Sequence, residues 1–163
     1  MRLDVRPILY SPGKSLPFDF EMDLSDLTLN GRKSVTRPVR VRGDAVNRAD
    51  MVQLTMHIST LLSAACDRCG REFDLPKETE YFCILTEELH NDEDDDLVLL
   101  EDGAVDLSEL ARAALILDMD TRTLCKEDCK GLCPRCGADL NLGPCSCRKE
   151  VDPRLAALAK LLE

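Results

Sequence analysis

Six of the nine cysteines lie between Cys125 and Cys147, in the run CKEDCKGLCPRCGADLNLGPCSC. The run has no aromatic residue and few aliphatic ones. It can bury too little apolar surface to fix its own shape, so covalent or coordinate bonds must do so. Cys133-Pro-Arg-Cys136-Gly137 has the form of a metal knuckle, two thiolates three residues apart followed by a glycine where the turn needs positive φ. Cys145-Ser-Cys147 could complete a tetrahedron from the other side. Thiolates are soft ligands and a closed four-thiolate site is a structural one, so Zn2+ suits the set best. A single iron of rubredoxin type uses similar Cys-Pro-x-Cys-Gly loops and stays open. Disulfides would need an oxidising compartment, and MRLDVRPILYSPGK holds no apolar stretch of signal-peptide length. The expectation is one structural zinc through Cys133, Cys136, Cys145 and Cys147. Cys125 and Cys129 are then spare, or belong to a two-metal cluster with bridging thiolates, or metal choice among the six is partly degenerate.

Cys66-Asp-Arg-Cys69-Gly70 repeats the knuckle spacing. Three readings stay open for it: a β-turn with reduced thiols, a metal site, or a redox pair. Against the last, a thioredoxin-like motif opens a helix in a βαβ unit, whereas this one lies between strand-like segments. Cys83 reads as a small buried hydrophobe. His57 falls on the polar side of a strand and reads as a solvated sheet residue. The sequence has no Gly-rich phosphate loop, G-x-S-x-G, H-E-x-x-H or Rossmann fingerprint. Four thiolates on a zinc leave no open position to activate water. The expectation is therefore a protein that is not an enzyme and takes no small-molecule substrate.

The elements that must position these thiols are mostly strands. Leu3, Val5 and Leu9 share one parity, broken by Pro7, as in an edge strand or bulge. Ser11-Pro12-Gly13 is a turn signal, and Phe18, Phe20, Met22 and Leu24 alternate with acids. Residues 25–37 are polar and contain Asn30-Gly31, which reads as a loop or hairpin tip, and Asn47-Arg48-Ala49-Asp50 suits a turn. The strongest strand points Val52, Leu54, Met56, Ile58, Thr60 and Leu62 to one face. Asp106-Leu-Ser-Glu109 has the form of a capping box opening a helix to about Leu117, with Leu107, Leu110, Ala111, Ala114 and Leu115 as its apolar stripe. Asp152-Pro153 starts a short terminal helix with Leu155, Leu158, Leu161 and Leu162 on one face. The fold class expected is α+β: an antiparallel sheet that could close into a barrel, one main helix, and a C-terminal Cys-rich metal-binding segment. The expected division is residues 1–117 as the α+β domain and 118–163 as the zinc-binding segment.

Charge is unevenly placed. The chain of 163 residues carries a net charge of −10, but residues 87–102 hold nine acids and no Lys or Arg, and the remainder is nearly balanced. Segment 87–96 reads as a solvated loop. Arg32, Lys33, Arg37, Arg40, Arg42 and Arg48 cluster within 31–48 with one acid, Asp44. Arg40 and Arg42 alternate with Val39 and Val41 and so share an exposed face, a candidate RNA-binding surface. No apolar run approaches the roughly 18 residues of a membrane span.

The combination of Ser11-Pro-Gly13, Cys66-Asp-Arg-Cys69, Asp106-Leu-Ser-Glu-Leu110, Cys125 to Gly137, Leu140-Asn141, Cys145-Ser-Cys147 and Asp152-Pro-Arg154 resembles the YceD-like family of large ribosomal RNA subunit accumulation proteins. The resemblance covers nearly the whole chain. It implies a bacterial, cytoplasmic, non-enzymatic ribosome biogenesis factor that supports rRNA accumulation, with ribosomal RNA or a large-subunit ribosomal protein as partner. Some relatives keep the Cys66/Cys69 pair without the C-terminal cluster, which speaks against one metal shared by the two knuckles. Segment 118–121 is more acidic than the Leu-Pro type of sequence the family leads one to expect. The rival readings are a protein-binding zinc-ribbon adaptor in transcription or translation, and a thiol redox protein using Cys66 and Cys69.

Overall fold

The structure, a computed structural model, describes residues 1–29, 32–88 and 96–147. Nine strands and two helices run in the order β1 (Arg2–Asp4), α1 (Arg6–Leu9), β2 (Ser15–Met22), β3 (Thr28–Leu29), β4 (Arg32–Lys33), β5 (Val39–Arg48), β6 (Met51–Ala65), β7 (Glu72–Thr86), β8 (Leu97–Leu99), β9 (Ala104–Asp106) and α2 (Leu107–Leu117) among these residues. The main sheet has the order β2-β5-β6-β7-β8, with two-stranded sheets β1-β9 and β3-β4 beside it in the chain. The class is α+β, as the sequence implies.

Period-two patterning builds the main sheet. Val39, Val41 and Ala45 of β5 and Val52, Leu54, Met56, Ile58 and Leu62 of β6 are buried, while Arg40, Arg42 and His57 point outward. The β5–β6 hairpin pairs Arg48 with Met51, leaving Ala49 and Asp50 as a two-residue turn with φ of 51° and 65°. Two positive φ values are what a type I′ turn needs to match strand twist. Asn47, fully buried, holds this end together. Its Nδ2 donates to the Ile8 and Leu9 carbonyls at 2.7 and 2.8 Å, and its Oδ1 accepts the Asp50 N–H at 3.0 Å. Gly43 is required further along β5, because a Cβ there would lie 1.9 Å from the Thr55 carbonyl oxygen and 2.9 Å from the Phe18 ring.

Two expectations are corrected. The sheet is open, not barrel-like: β2 and β8 are its ends, and β8 joins β7 in parallel, pairing Ile84 with Leu97. The inner face is covered instead by α2, whose Leu107, Ala111, Ala114 and Leu115 enter the same apolar core as β5 and β6. The parity of Val5 and Leu9 is not that of a strand. Pro7 sits in the first turn of the short helix α1, where its missing N–H costs nothing, and Ile8 turns into the core. Of the loop and the hairpin expected within residues 25–37, the hairpin is formed, β3 and β4 pairing through Thr28–Lys33 and Leu29–Arg32.

Asp106 caps α2 as expected, accepting the Ser108 N–H at 2.8 Å. At the other end Asp118 accepts from Thr79 Oγ1 at 2.7 Å and meets Lys77 Nζ at 2.9 Å. The Lys77 ammonium and the Thr79 hydroxyl hold the Asp118 carboxyl below the usual carboxylate range. The hairpin tip Asn30-Gly31, most of the acidic segment and the expected terminal helix lie outside the described residues. Among those described, no helix is long and apolar enough to cross a membrane.

The chain forms two compact units. One comprises Met1–Ala64 and Glu72–Thr123; the other joins Ala65–Arg71, the connection between β6 and β7, to the chain from Leu124 onward.

Candidate metal centres

The second unit contains two sets of four cysteines. Cys66, Cys69, Cys125 and Cys129 form one; Cys133, Cys136, Cys145 and Cys147 form the other, and within each set all sulfurs lie within 4.8 Å of one another. Three sulfur pairs show the spacing: Cys66–Cys129 at 3.7 Å, Cys69–Cys125 at 3.7 Å and Cys133–Cys145 at 3.4 Å. A disulfide needs about 2.05 Å. Zn–S bonds of about 2.3 Å in a tetrahedron put sulfurs about 3.8 Å apart. Four soft donors at that spacing fit one thiophilic metal ion per set, with no protein-free position left over.

The two knuckles are built alike. Gly70 N–H donates to the Cys66 carbonyl at 2.8 Å and Cys66 N–H to the Arg71 carbonyl at 2.9 Å. Gly137 N–H likewise donates to the Cys133 carbonyl at 2.9 Å, and Cys133 N–H to the Ala138 carbonyl at 2.8 Å. Gly70 and Gly137 have φ of 69° and 71°, the left-handed turn expected at Gly137. This bend aims backbone N–H groups at the first sulfur of the second knuckle: those of Cys136 and Arg135 bring the Cys133 thiol down to about 6. The Cys66 thiol is also brought down to about 6, first by the Cys125 N–H and then by those of Cys69 and Arg68, against the effect of burial. Another thiol of each set moves the other way. Burial, then Cys69, pushes Cys125 up to about 12, and hydrogen bonding with Cys136, then burial, pushes Cys147 up to about 12. Four thiolates so close repel one another, and a bound dication is what would let all four ionise.

Of the residues singled out by sequence, Cys133, Cys136, Cys145 and Cys147 come together as one set. Cys125 and Cys129 join Cys66 and Cys69, so the knuckles lie in different sets. That partnership spans 56 and 63 residues of sequence. Sequence reasoning passed over the residues that frame the sets. Arg68 donates to the Cys129 carbonyl at 2.6 Å, Arg71 meets Asp139 at 3.4 Å, and Asn141 donates to Cys129 Sγ at 3.5 Å. Burial opposes ionisation of Cys129, but the Asn141 amide and the Gly131 N–H keep its thiol below the ordinary value. The Asn141 position had one signal, its place in the Leu140-Asn141 element shared with the family. Cys83 is fully buried in β7, and burial raises its thiol to about 11.

The arginines of the candidate RNA face are scattered in role. Arg40 and Arg42 do share the outer face of β5, with Arg48 exposed on the same parity. Arg40 is held by Asp19 through two hydrogen bonds of 3.0 and 2.7 Å, and Arg37 meets Asp74 at 3.3 Å. Arg32 and Lys33 belong to β4. His57 lies on the same outer face, its Nδ1 3.3 Å from Glu80. The face mixes both signs of charge.

The family described as "Large ribosomal RNA subunit accumulation protein YceD" matches residues 54–162. YlbN of Bacillus subtilis is 33% identical over 172 residues, covering all of this chain and 97% of that protein. The Arabidopsis thaliana protein named large ribosomal RNA subunit accumulation protein YCED homolog 1, chloroplastic, is 26% identical over 77% of this chain; the match spans 49% of that longer protein. Rv2926c of Mycobacterium tuberculosis is 34% identical over 70 residues, 43% of this chain and 34% of that protein. No solved structure matches the chain. The match to the family runs through β6, both cysteine sets and α2, and the chain belongs to the YceD family of large ribosomal RNA subunit accumulation proteins.

Proposed function

We propose that the chain is a non-enzymatic, cytoplasmic ribosome biogenesis factor that binds an assembly intermediate of the large subunit and supports accumulation of its RNA. Family membership over residues 54–162 is the observation that carries this reading. Zn2+ is the metal of both cysteine sets. Closed tetrathiolate sites are structural, so the metals hold the second unit in shape for its partner and perform no chemistry of their own. The redox reading of Cys66 and Cys69 loses ground, because both thiols face Cys125 and Cys129 in a four-sulfur set.

The partner is ribosomal RNA or a large-subunit ribosomal protein. The mixed charge around Arg40 and Asp19 favours a protein contact on the β5 face, since Arg40 is already engaged. Sedimentation of tagged full-length protein through ribosome gradients tests the reading. Co-migration with large-subunit precursors is expected, with loss of association in Cys66→Ser/Cys69→Ser. Protein found only in the ribosome-free fractions under all growth conditions refutes it. Crosslinking followed by RNA sequencing, with Arg40→Glu/Arg42→Glu as the comparison, separates the two partner classes.

A further inference from the structure

We infer that the two cysteine centres bind metal cooperatively, and that Asn141 is the positioning residue that couples them. This rests on the metal reading above. Asn141 lies between Cys136 and Cys145, so ligands of the second centre hold its loop from both sides. Its side chain acts on the first centre. Nδ2 donates to Cys129 Sγ at 3.5 Å, and Oδ1 accepts the Lys130 N–H, one residue further on, at 2.9 Å.

The orientation of that amide is fixed from its own loop and from the first knuckle. Asn141 N–H and Nδ2 both donate to Asp139 Oδ1, at 2.9 and 2.7 Å, while Asp139 Oδ2 meets Arg71 at 3.4 Å. A second line of contacts runs through the backbone. Leu140 N–H donates to the Gly131 carbonyl at 2.9 Å and Leu132 N–H to the Arg68 carbonyl at 3.2 Å. Gly131, at φ 73°, permits this approach, because a Cβ there would lie 2.9 Å from the Arg68 carbonyl oxygen.

An N–H aimed at a ligating sulfur stabilises its thiolate and orients its lone pairs, and losing such a partner costs metal sites about 10–100-fold in affinity. The loop that carries Asn141 has little apolar anchorage; Leu142 is 84% exposed. Without metal on Cys133, Cys136, Cys145 and Cys147, placing the amide on Cys129 must overcome the entropy of ordering that loop. Metal at the second centre removes this cost beforehand. The coupling is reciprocal, so each metal raises the affinity for the other by the same factor.

Zinc affinities measured by competition with a chromophoric chelator, on full-length variants, test the inference. Disabling the second centre with Cys133→Ser/Cys136→Ser should lower first-centre affinity about 10–100-fold. Asn141→Asp keeps the oxygen that accepts from Lys130 and removes the donor; in the otherwise intact chain it should give a fall of similar size. Combined, the changes should produce no further fall. In a chain lacking the first centre, Cys66→Ser/Cys69→Ser, Asn141→Asp should leave second-centre affinity unchanged, whereas a role confined to loop structure would lower it there too. Cadmium-113 NMR supplies the local signature, as Asn141→Asp should shift a first-centre resonance. First-centre affinity indifferent to loss of the second centre, or full additivity of the two changes, overturns the coupling. Native mass spectrometry keeps the outcomes apart: fewer than two metals per wild-type chain sinks the metal reading, and two metals bound independently sinks only the coupling.

Discussion

Removing both metals should melt the second unit and spare the first. Among the described residues of the second unit, the buried apolar side chains are Cys66, Cys129 and Cys133. Each is smaller than a valine or leucine, whose full burial contributes roughly 1.5–3 kcal/mol, so the three together supply at most a few kcal/mol. One structural zinc contributes about 10–16 kcal/mol. Ordering the backbone costs roughly 1–2 kcal/mol per residue, so the apolar contribution alone cannot hold residues 124–147. The first unit has its own core across β5, β6, β7 and α2 and does not draw on the metals. Hydrogen exchange read by mass spectrometry, before and after treatment with a strong zinc chelator, is the assay. Amides of Gly70, Cys133, Gly137 and Leu140, all hydrogen-bonded in the folded unit, should exchange at near-unprotected rates after chelation. Amides of the β5–β6 hairpin should keep their protection to within about tenfold, roughly 1.4 kcal/mol. Persistent protection of the knuckle amides in a chain shown to be metal-free would refute the reasoning. So would simultaneous loss of the hairpin.

Three further outcomes are expected. Thiol titration of the folded protein after loading with Zn2+ should find almost no reactive cysteine; chelation should release eight, and Cys83 should react only on denaturation, because it is fully buried and its thiol is raised to about 11. Asn47→Ala should destabilise the first unit by about 2–4 kcal/mol in urea unfolding, since it strips partners from the Ile8 and Leu9 carbonyls and the Asp50 N–H. Asp118 has its folded pKa below the ordinary 3.8, through Lys77 first and then Thr79. Its stabilisation is therefore full above the unfolded value and lost as pH falls through the folded one. Unfolding measured from pH 5 downward should show this acid-side loss in the wild type and less of it in Asp118→Asn.

Legibility in the sequence followed the range of the signal. Alternation in β6 foretold the burial of Val52, Leu54, Met56, Ile58 and Leu62, because a pleated strand turns pattern directly into faces. Asp106 announced the α2 cap, and Gly137 the left-handed turn, for equally local reasons. Val5–Leu9 misled, since five residues fit a strand parity and a helical turn alike, and Pro7 decided for the helix. Parallel pairing of β8 with β7 left no mark, because three apolar residues carry no direction. The sorting of eight cysteines failed at the same point. Spacing reveals Cys66/Cys69 and Cys125/Cys129 as pairs, but which pairs meet depends on the path of β7, β8, β9 and α2 between them.

The long reach of the first centre also sets an order in time. Cys125 leaves the ribosome 56 residues after Cys69, about 3–11 s at ordinary elongation rates. During that interval the nascent β6–β7 hairpin carries two thiols and half a coordination shell. The second centre's four cysteines span only Cys133 to Cys147 and emerge within about 1–3 s of one another. A translating chain thus exposes its earlier knuckle to adventitious metal and oxidant for several seconds, then meets the remaining six ligands in quick succession. Premature termination before Cys125 leaves an open dithiol that no later residue can close, a chemical difference by which a truncated product is distinguishable from a finished one.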